Sequence, residues 1–250
     1  MVLFYPLGFM AGSAIAPAVR ISSGASQRFR RTGLTIQAGK AKNTWSIGVR
    51  RRASALTYLH TVYQATTWSR LYIDGSGYVI MQDWHTPGPT ADTNVVSDAT
   101  VPAETWTHLH VVRDTTLAAG SRIRIWLDGV ESTVTVSTAA SGNATTFGVL
   151  TTDYPGGYDQ RAASYGSGSC DLANFWFLNG VATAVTEFGE DIGGTWAMKE
   201  PTSPAFGTNG FWMSYADADN LGSDDGNGTT VIADNITSAE ALGDGPAYVS

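Results

Sequence analysis

The chain has little of what staples or anchors a fold: a single cysteine, Cys170, in 250 residues. That excludes an intrachain disulfide and any cysteine-rich metal site. The fold must stand on its own core, as expected of a protein that matures in a reducing cytosol, and Cys170 itself is expected to be a buried, inert thiol. Charged residues are also scarce, at 15% against the roughly 25% of an average domain. No uninterrupted apolar run approaches the roughly 20 residues of a membrane span, so none is expected. A 3.6-residue hydrophobic period never persists for three turns, which excludes a helical bundle. The one helical turn expected lies near Val185 to Glu190. Acids are missing from the first third of the chain. Before Asp74 there is none, against ten cations, so the charge is +10 up to that point and −17 beyond it, −7 in all.

Three readings of that asymmetry are open. The basic stretch could dock onto an acidic surface or assemble head to tail, it could bind nucleic acid, or its arginines could fold back onto the acids that follow. Nucleic acid is the least favoured, because no helix-turn-helix, zinc finger or aromatic RNA-binding signature accompanies the charge.

What is abundant is glycine (28 residues) and tryptophan (8), together with serine and threonine in short alternating runs. Residues 1–20 lack that alternation and read as an extended, apolar arm. The arm has no basic residue before Arg20, and Pro6 interrupts its apolar run, so it is not read as a signal peptide. From residue 21 onward, strands and turns follow closely. Thr44 to Val49 directs Trp45, Ile47 and Val49 to one face. Ser69 to Ile73 closes at Asp74-Gly75 and resumes at Tyr78, and Arg122 to Leu127 turns at Asp128-Gly129; Asp-Gly between apolar runs is a strong hairpin signal. In the second hairpin Ile123 and Ile125 face the core while Arg122 and Arg124 face solvent. Trp45, Trp106 and Trp126 are expected in the core. The rhythm runs without a linker or internal repeat, so residues 21–250 are expected to form a single all-β sandwich.

The paired strands Trp106 to Asp114 (W-T-H-L-H-V-V-R-D) and Arg122 to Val130 (R-I-R-I-W-L-D-G-V) resemble those of concanavalin-A-like, laminin-G-type antiparallel jelly rolls. A string of short motifs follows in order: Asn179-Gly180, Phe188-Gly189-Glu190, Gly194-Thr195-Trp196, Gly207-Thr208-Asn209-Gly210-Phe211, Leu221 to Gly228, and Asp234-Asn235-Ile236. The string is similar to that of a family of tailed-bacteriophage virion proteins. The resemblance implies a non-enzymatic structural protein of the virion: a capsid decoration, head fibre or tail-fibre-associated protein. It would assemble in the host cytoplasm onto capsid or tail proteins, as a homo-oligomer by analogy with phage appendages. In that reading Phe4, Tyr5 and Phe9 of the arm bury against the partner, and Arg28, Arg30 and Arg31 complement its acidic surface.

Catalytic patterns are absent from the sequence. None of the six glutamates begins the E-x-D-x-x-E spacing that would set a retaining carboxylate pair on one face of a strand, and there is no G-x-S-x-G nucleophile elbow. His108 and His110, two residues apart, share a strand face and could hold a metal, although such a pair is more often a set of exterior polar positions. No cofactor is expected, with calcium the one metal to consider: Asp217, Asp219, Asp224 and Asp225 place hard oxygen ligands on a glycine-rich loop, which Asx turns also account for. For a host-surface glycan the required feature is an exposed aromatic beside polar groups. Trp84, Tyr154 and Tyr158 meet that description, as do Trp68 and Tyr165. A carbohydrate-binding module is therefore the alternative function, and a glycan-active hydrolase a more distant one.

Overall fold

A computed structural model describes residues 13–22, 27–31, 41–52, 54–64, 67–84, 91–138, 159–164, 169–226 and 231–249. Among them the strands in chain order are β1 (Ser13–Ile15), β2 (Ala18–Ile21), β3 (Arg28–Arg31), β4 (Lys42–Arg51), β5 (Thr57–Gln64), β6 (Thr67–Ile73) and β7 (Tyr78–Trp84). Next come β8 (Ala91–Thr100), β9 (Thr107–Asp114), β10 (Ile123–Leu127), β11 (Val130–Ser132), β12 (Val134–Thr138), β13 (Asp159–Ser164) and β14 (Cys170–Asn179). The last are β15 (Gly189–Ile192), β16 (Thr195–Lys199), β17 (Phe211–Met213), β18 (Ile232–Asp234), β19 (Ala241–Leu242) and β20 (Ala247–Val249). The expected helical turn is a short 3-10 turn at Val185–Glu187. No described helix is long and apolar enough to cross a membrane.

These strands form two large sheets and a small one. The central sheet runs β11-β10-β9-β4-β14-β2-β19, with β17 also paired to β14, and the outer sheet runs β12-β8-β7-β6-β5-β13-β3-β18. The small sheet runs β1-β20-β16-β15. Between the two large sheets lies the main core. Trp45, Ile47, Val49, Leu109, Val111, Ile123, Ile125, Phe175 and Phe177 of the central sheet meet Leu59, Val62, Leu71, Ile73, Val79, Met81 and Val95 of the outer one. One local device keeps β14 in phase. Its pairing with β4 slips between Ala173 and Trp176, where Asn174 takes φ 43°. The bulge lets Leu172 and Phe175, an odd number apart, both face the core.

The central strands β4, β9 and β14 are buried on both faces, so the sandwich has a third layer. Segments between residues 180 and 226, with the small sheet, cover the far face. There Trp176, Leu178 and Phe188 pack with Phe206 and Trp212, and Val112, Trp126 and Val185 pack with Trp196. The ordered motifs prove to be the joints of this layer. Trp196 lies over Gly129 and Gly189, where a Cβ on either would overlap its ring. Gly207 (φ 68°) sits against the Asn179 carbonyl, and Gly226 lies under the Phe206 ring, which itself stacks on Trp176.

This layer corrects several sequence expectations. His108 and His110 are buried rather than exterior, because the face they occupy is covered. Trp106 is only half-buried; Arg50 stacks on its ring and its Nε1–H donates to the Asp244 carbonyl. The boundary expected at residue 20 also shifts. Within the expected arm, β1 pairs with β20, and β2 pairs with β14 and β19, burying Ala16, Ala18 and Val19. Phe4, Tyr5 and Phe9 lie outside the described residues.

Gly129 gives a direct test of the joint. It has φ 77° after Asp128 at 47°, the left-handed pair of a two-residue hairpin turn. Gly129→Ala adds a strained left-handed residue, worth about 1–2 kcal/mol, and displaces Trp196. The expected loss is on the order of 2 kcal/mol, read as a lower urea midpoint with near-ultraviolet dichroism reporting the displaced indole.

Candidate functional site

The basic stretch is largely neutralised inside the chain. Arg28 and Arg30 donate through Nε to Asp234 at 2.7 and 2.9 Å, and those ion pairs hold the Asp234 carboxyl below its ordinary pKa, with the Arg30 hydrogen bond contributing most. Arg31 is buried, donates to the carbonyls of Asn209 and Gly210, and lies against the Phe211 ring. Arg20, Arg50 and Arg52 converge on Asp171. The expectation that Arg28, Arg30 and Arg31 present charge to a partner therefore gives way to the reading in which the arginines fold back onto the chain's own groups.

The acidic loop is likewise engaged locally. Asp224 accepts the backbone N–H groups of Trp212 and Gly226, and Asp225 accepts the N–H and hydroxyl of Ser214 and the hydroxyl of Ser223. Asp217 caps its own turn by accepting from the Asp219 N–H. Among the described residues no group of three or more His, Cys, Asp or Glu side chains is placed to hold a metal ion. His108 and His110 are adjacent, but each is committed: His108 to Ser46 and Trp196, and His110 to the Thr183 carbonyl. Cys170 is buried, and burial, aided by neighbouring Asp171, pushes its thiol up to about 12.

What is left is the outward face of the outer sheet. In β6, Leu71 and Ile73 enter the core while Trp68, Arg70 and Tyr72 alternate to the other side. The registers across β5, β6, β7 and β8 align the neighbours of these residues. Tyr58, Tyr72, Ile80 and Val96 share one row, and Thr61, Arg70, Gln82 and Asn94 the next. Arg161 stands opposite Thr61, and Arg30 opposite Arg161, so the polar row continues across β13 and β3. In the third row Trp84 is directly across from Trp68. Trp68 and Trp84 therefore both lie on strands. Tyr154 and Tyr158 lie outside the described residues.

The face is built as a platform. Tyr58 and Tyr72 stand with ring centroids 5.6 Å apart. The Arg70 guanidinium lies 3.4 Å over the Trp68 ring and donates from Nη1 to the Tyr58 hydroxyl at 2.9 Å. Partial burial raises the Tyr72 phenol above its ordinary pKa, so it stays a neutral donor. Half-buried aromatics beside amides, a hydroxyl and a guanidinium offer both flat apolar surface and directional hydrogen bonds. A cleft of about 380 Å³ elsewhere, lined by Val112, Arg124, Trp126 and Thr183, lacks that combination: Trp126 is buried, and Arg124 is neutralised by Glu131. Sequence reading singled out Trp84 and noted Trp68, but passed over Tyr58, Arg70 and Tyr72. The W-S-R-L-Y alternation that displays three of these side chains together was the available signal.

No protein-family model matches the chain, and no curated protein matches it in sequence. Solved structures do match in fold. A Bacteroides ovatus protein assigned to carbohydrate binding has a TM-score of 0.55 at 12% identity over 89% of this chain, which spans 59% of the Bacteroides chain. A heptameric SAP-like pentraxin from Limulus polyphemus has a TM-score of 0.47 at 10% identity, covering 91% of this chain and 98% of that one. Domains LG4-5 of the mouse laminin alpha1 chain have a TM-score of 0.42 at 13% identity, covering 85% and 49%. The fold is a concanavalin-A-like jelly-roll sandwich.

Proposed function

We propose that this chain is a non-catalytic carbohydrate-binding module that holds a glycan on the outward face of its outer sheet. The observation that carries the reading is the three-row face around Trp68, Arg70 and Tyr72, where aromatic planes flank hydrogen-bonding side chains in a single register. Pyranose rings have an apolar face that stacks on aromatics and hydroxyls that need directional partners, and this surface supplies both. The assignment of the Bacteroides neighbour to carbohydrate binding is in keeping with it. Four of the six glutamates are engaged elsewhere. Glu131 is tied to Arg124, Glu190 to Lys199 and Glu104 to Arg52, while Glu240 closes a capping box with Thr237.

The test is a glycan array followed by calorimetry on the best ligand. Trp68→Ala removes a central stacking surface and is expected to cost about 2 kcal/mol of binding, roughly 30-fold in Kd. Its unfolding midpoint should remain close to wild type, since the side chain is only partly buried and lies outside the core. Full affinity in Trp68→Ala would place the glycan elsewhere.

A second reading is supported by the ordered motif string from Asn179 to Ile236: that the module is an oligomeric component of a bacteriophage particle, attached to capsid or tail and displaying the glycan-binding face to the host. Electron cryo-microscopy of purified particles would test it, with density for this sandwich expected on the virion surface and its absence overturning the assignment.

A further inference from the structure

We propose that the outward face selects glycans bearing an acidic group, a carboxylate or a sulfate, and that Arg70 is the residue that reads it. This inference rests on the carbohydrate-binding reading above and adds the chemical class of the ligand.

The argument starts from how this chain treats its other cations. Arg20, Arg28, Arg30, Lys42, Arg50, Arg52, Arg124 and Lys199 all end on carboxylates. Arg31, Arg51 and Arg122 end on backbone carbonyls, and Arg113 is buried near the Asp83 carboxylate. Arg70 does none of these. Among the described residues its contacts are the Trp68 ring, the Tyr58 ring at 5.5 Å and the Tyr58 hydroxyl, none of which carries a negative charge. It is only partly buried, in the middle of the sheet, on the side that faces away from the core.

Two further features make this charge suited to recognition. The indole beneath and the phenol beside it hold the guanidinium in place before any ligand arrives, so less side-chain entropy is lost on binding. Only Nη1 is taken by Tyr58, which leaves donors for a carboxylate or sulfate that approaches over the sheet. Its row across the neighbouring strands is polar and uncharged: Thr61 on β5, Gln82 on β7 and Asn94 on β8 share the register of Arg70. Neighbouring strands are about 4.8 Å apart, so an extended acidic chain crossing the strands would pass each in turn. The acids of this face whose side chains are described lie toward its margins: Asp74, which follows β6, acts on Tyr72 and accepts the Ser76 and Tyr78 N–H groups of its turn, then Asp98 and Asp234. Asp98 accepts from the Thr133 and Thr135 hydroxyls, and Asp234 is held by Arg28 and Arg30. Neither Gln82 nor Asn94, beside Arg70 in the row, brings a charge that would repel an anion.

The experiment uses the full chain and paired probes: uronate oligosaccharides with their carboxyl-reduced counterparts, and sulfated oligosaccharides with their desulfated counterparts. Titration calorimetry compares wild type, Arg70→Gln and Arg70→Lys, with unfolding midpoints measured in parallel. At least one acidic member is expected to bind about tenfold or more tightly than its neutral counterpart. In Arg70→Gln that preference should vanish, the acidic and neutral members of each pair then binding within about twofold of one another. Arg70→Lys should recover part of it, since it keeps charge but not the planar fork. Neutral sugars binding as well as acidic ones, or a preference surviving in Arg70→Gln, overturns the inference and leaves the carbohydrate-binding reading intact. Failure of every probe overturns both.

Discussion

Lowering the pH from 7 toward 4.5 is expected to remove most of the folding free energy, because three histidines are buried in neutral form. His60 receives the Trp45 Nε1–H on Nδ1 at 2.8 Å. His108 receives the Trp196 Nε1–H on Nδ1 at 2.7 Å, which leaves its Nε2–H to donate to the Ser46 hydroxyl, also at 2.7 Å. His110 donates from Nε2 to the Thr183 carbonyl at 3.0 Å. A second proton on His60 or His108 would land on a nitrogen that already accepts a hydrogen bond. Burial, with Arg31 nearby, pushes His60 down to about 3; burial also takes His110 down to about 4 and, with His110 beside it, holds His108 well below its ordinary value.

The sign follows from which state takes up protons. In the unfolded chain these imidazoles titrate near about 6.5, whereas the native ones stay neutral. Their contribution is therefore intact above about pH 6.5 and is lost as the pH falls toward the folded values. Three protons correspond to a slope of about 4 kcal/mol per pH unit below roughly pH 6, against a total stability of about 5–15 kcal/mol. The carboxyls held low by their partners, Asp114, Glu131, Asp234 and Glu240, act in the same direction but nearer pH 4. Asp128, raised by burial, opposes them in part. Urea unfolding at pH 7, 6 and 5 measures the slope. His110→Gln, which keeps a donor for Thr183, should lower it by about 1.4 kcal/mol per pH unit. A midpoint that does not move between pH 7 and 5 would contradict neutral burial of all three.

These histidines also show where sequence reading stops. The run T-H-L-H-V-V-R-D in β9 alternates as a half-wet strand would, and the alternation correctly places Leu109 and Val111 in the core. Whether the other face meets water depends on residues 180–226 returning over it, and strand periodicity carries no trace of that contact. Asp128-Gly129, Asp74-Gly75 and the Trp45-Ile47-Val49 face were legible because turn geometry and pleat are local properties. The ordered glycine motifs were legible as a pattern and not as a cause, since the cause is the room that Trp196, Phe206 and the Asn179 carbonyl require. At the candidate site Trp84 was visible as an aromatic among polar neighbours. Arg70 was counted only as one of ten early cations, because net charge by segment does not reveal which cations find a carboxylate.

Three of those cations, Arg20, Arg50 and Arg52, meet at Asp171, and removing that carboxylate is the mutation expected to cost most. Its side chain is fully buried on the covered face of the central sheet. It accepts from Arg20 Nε at 3.0 Å, Arg50 Nε at 2.8 Å and Arg52 Nε. Arg50 continues to Asp244 and Arg52 to Glu104, so one carboxylate joins β2, β4, β14, the turn before β9 and the segment before β20. In Asp171→Ala three guanidinium groups lose their shared anion, and Arg50, only 10% exposed at its side chain, cannot turn to water. Breaking a buried pair of this kind costs about 3 kcal/mol or more, or roughly 6–12 °C in Tm for a domain of this size. Arg20→Ala, at a side chain 42% exposed, should cost less than about 1 kcal/mol. Equal small effects for the two variants would show that solvent, and not Asp171, satisfies the cluster. The hub faces away from Trp68, Arg70 and Tyr72, with the main core between them. Asp171→Ala measured well below its Tm should therefore bind glycan with wild-type affinity, which separates the charge that holds the sandwich together from the charge it presents.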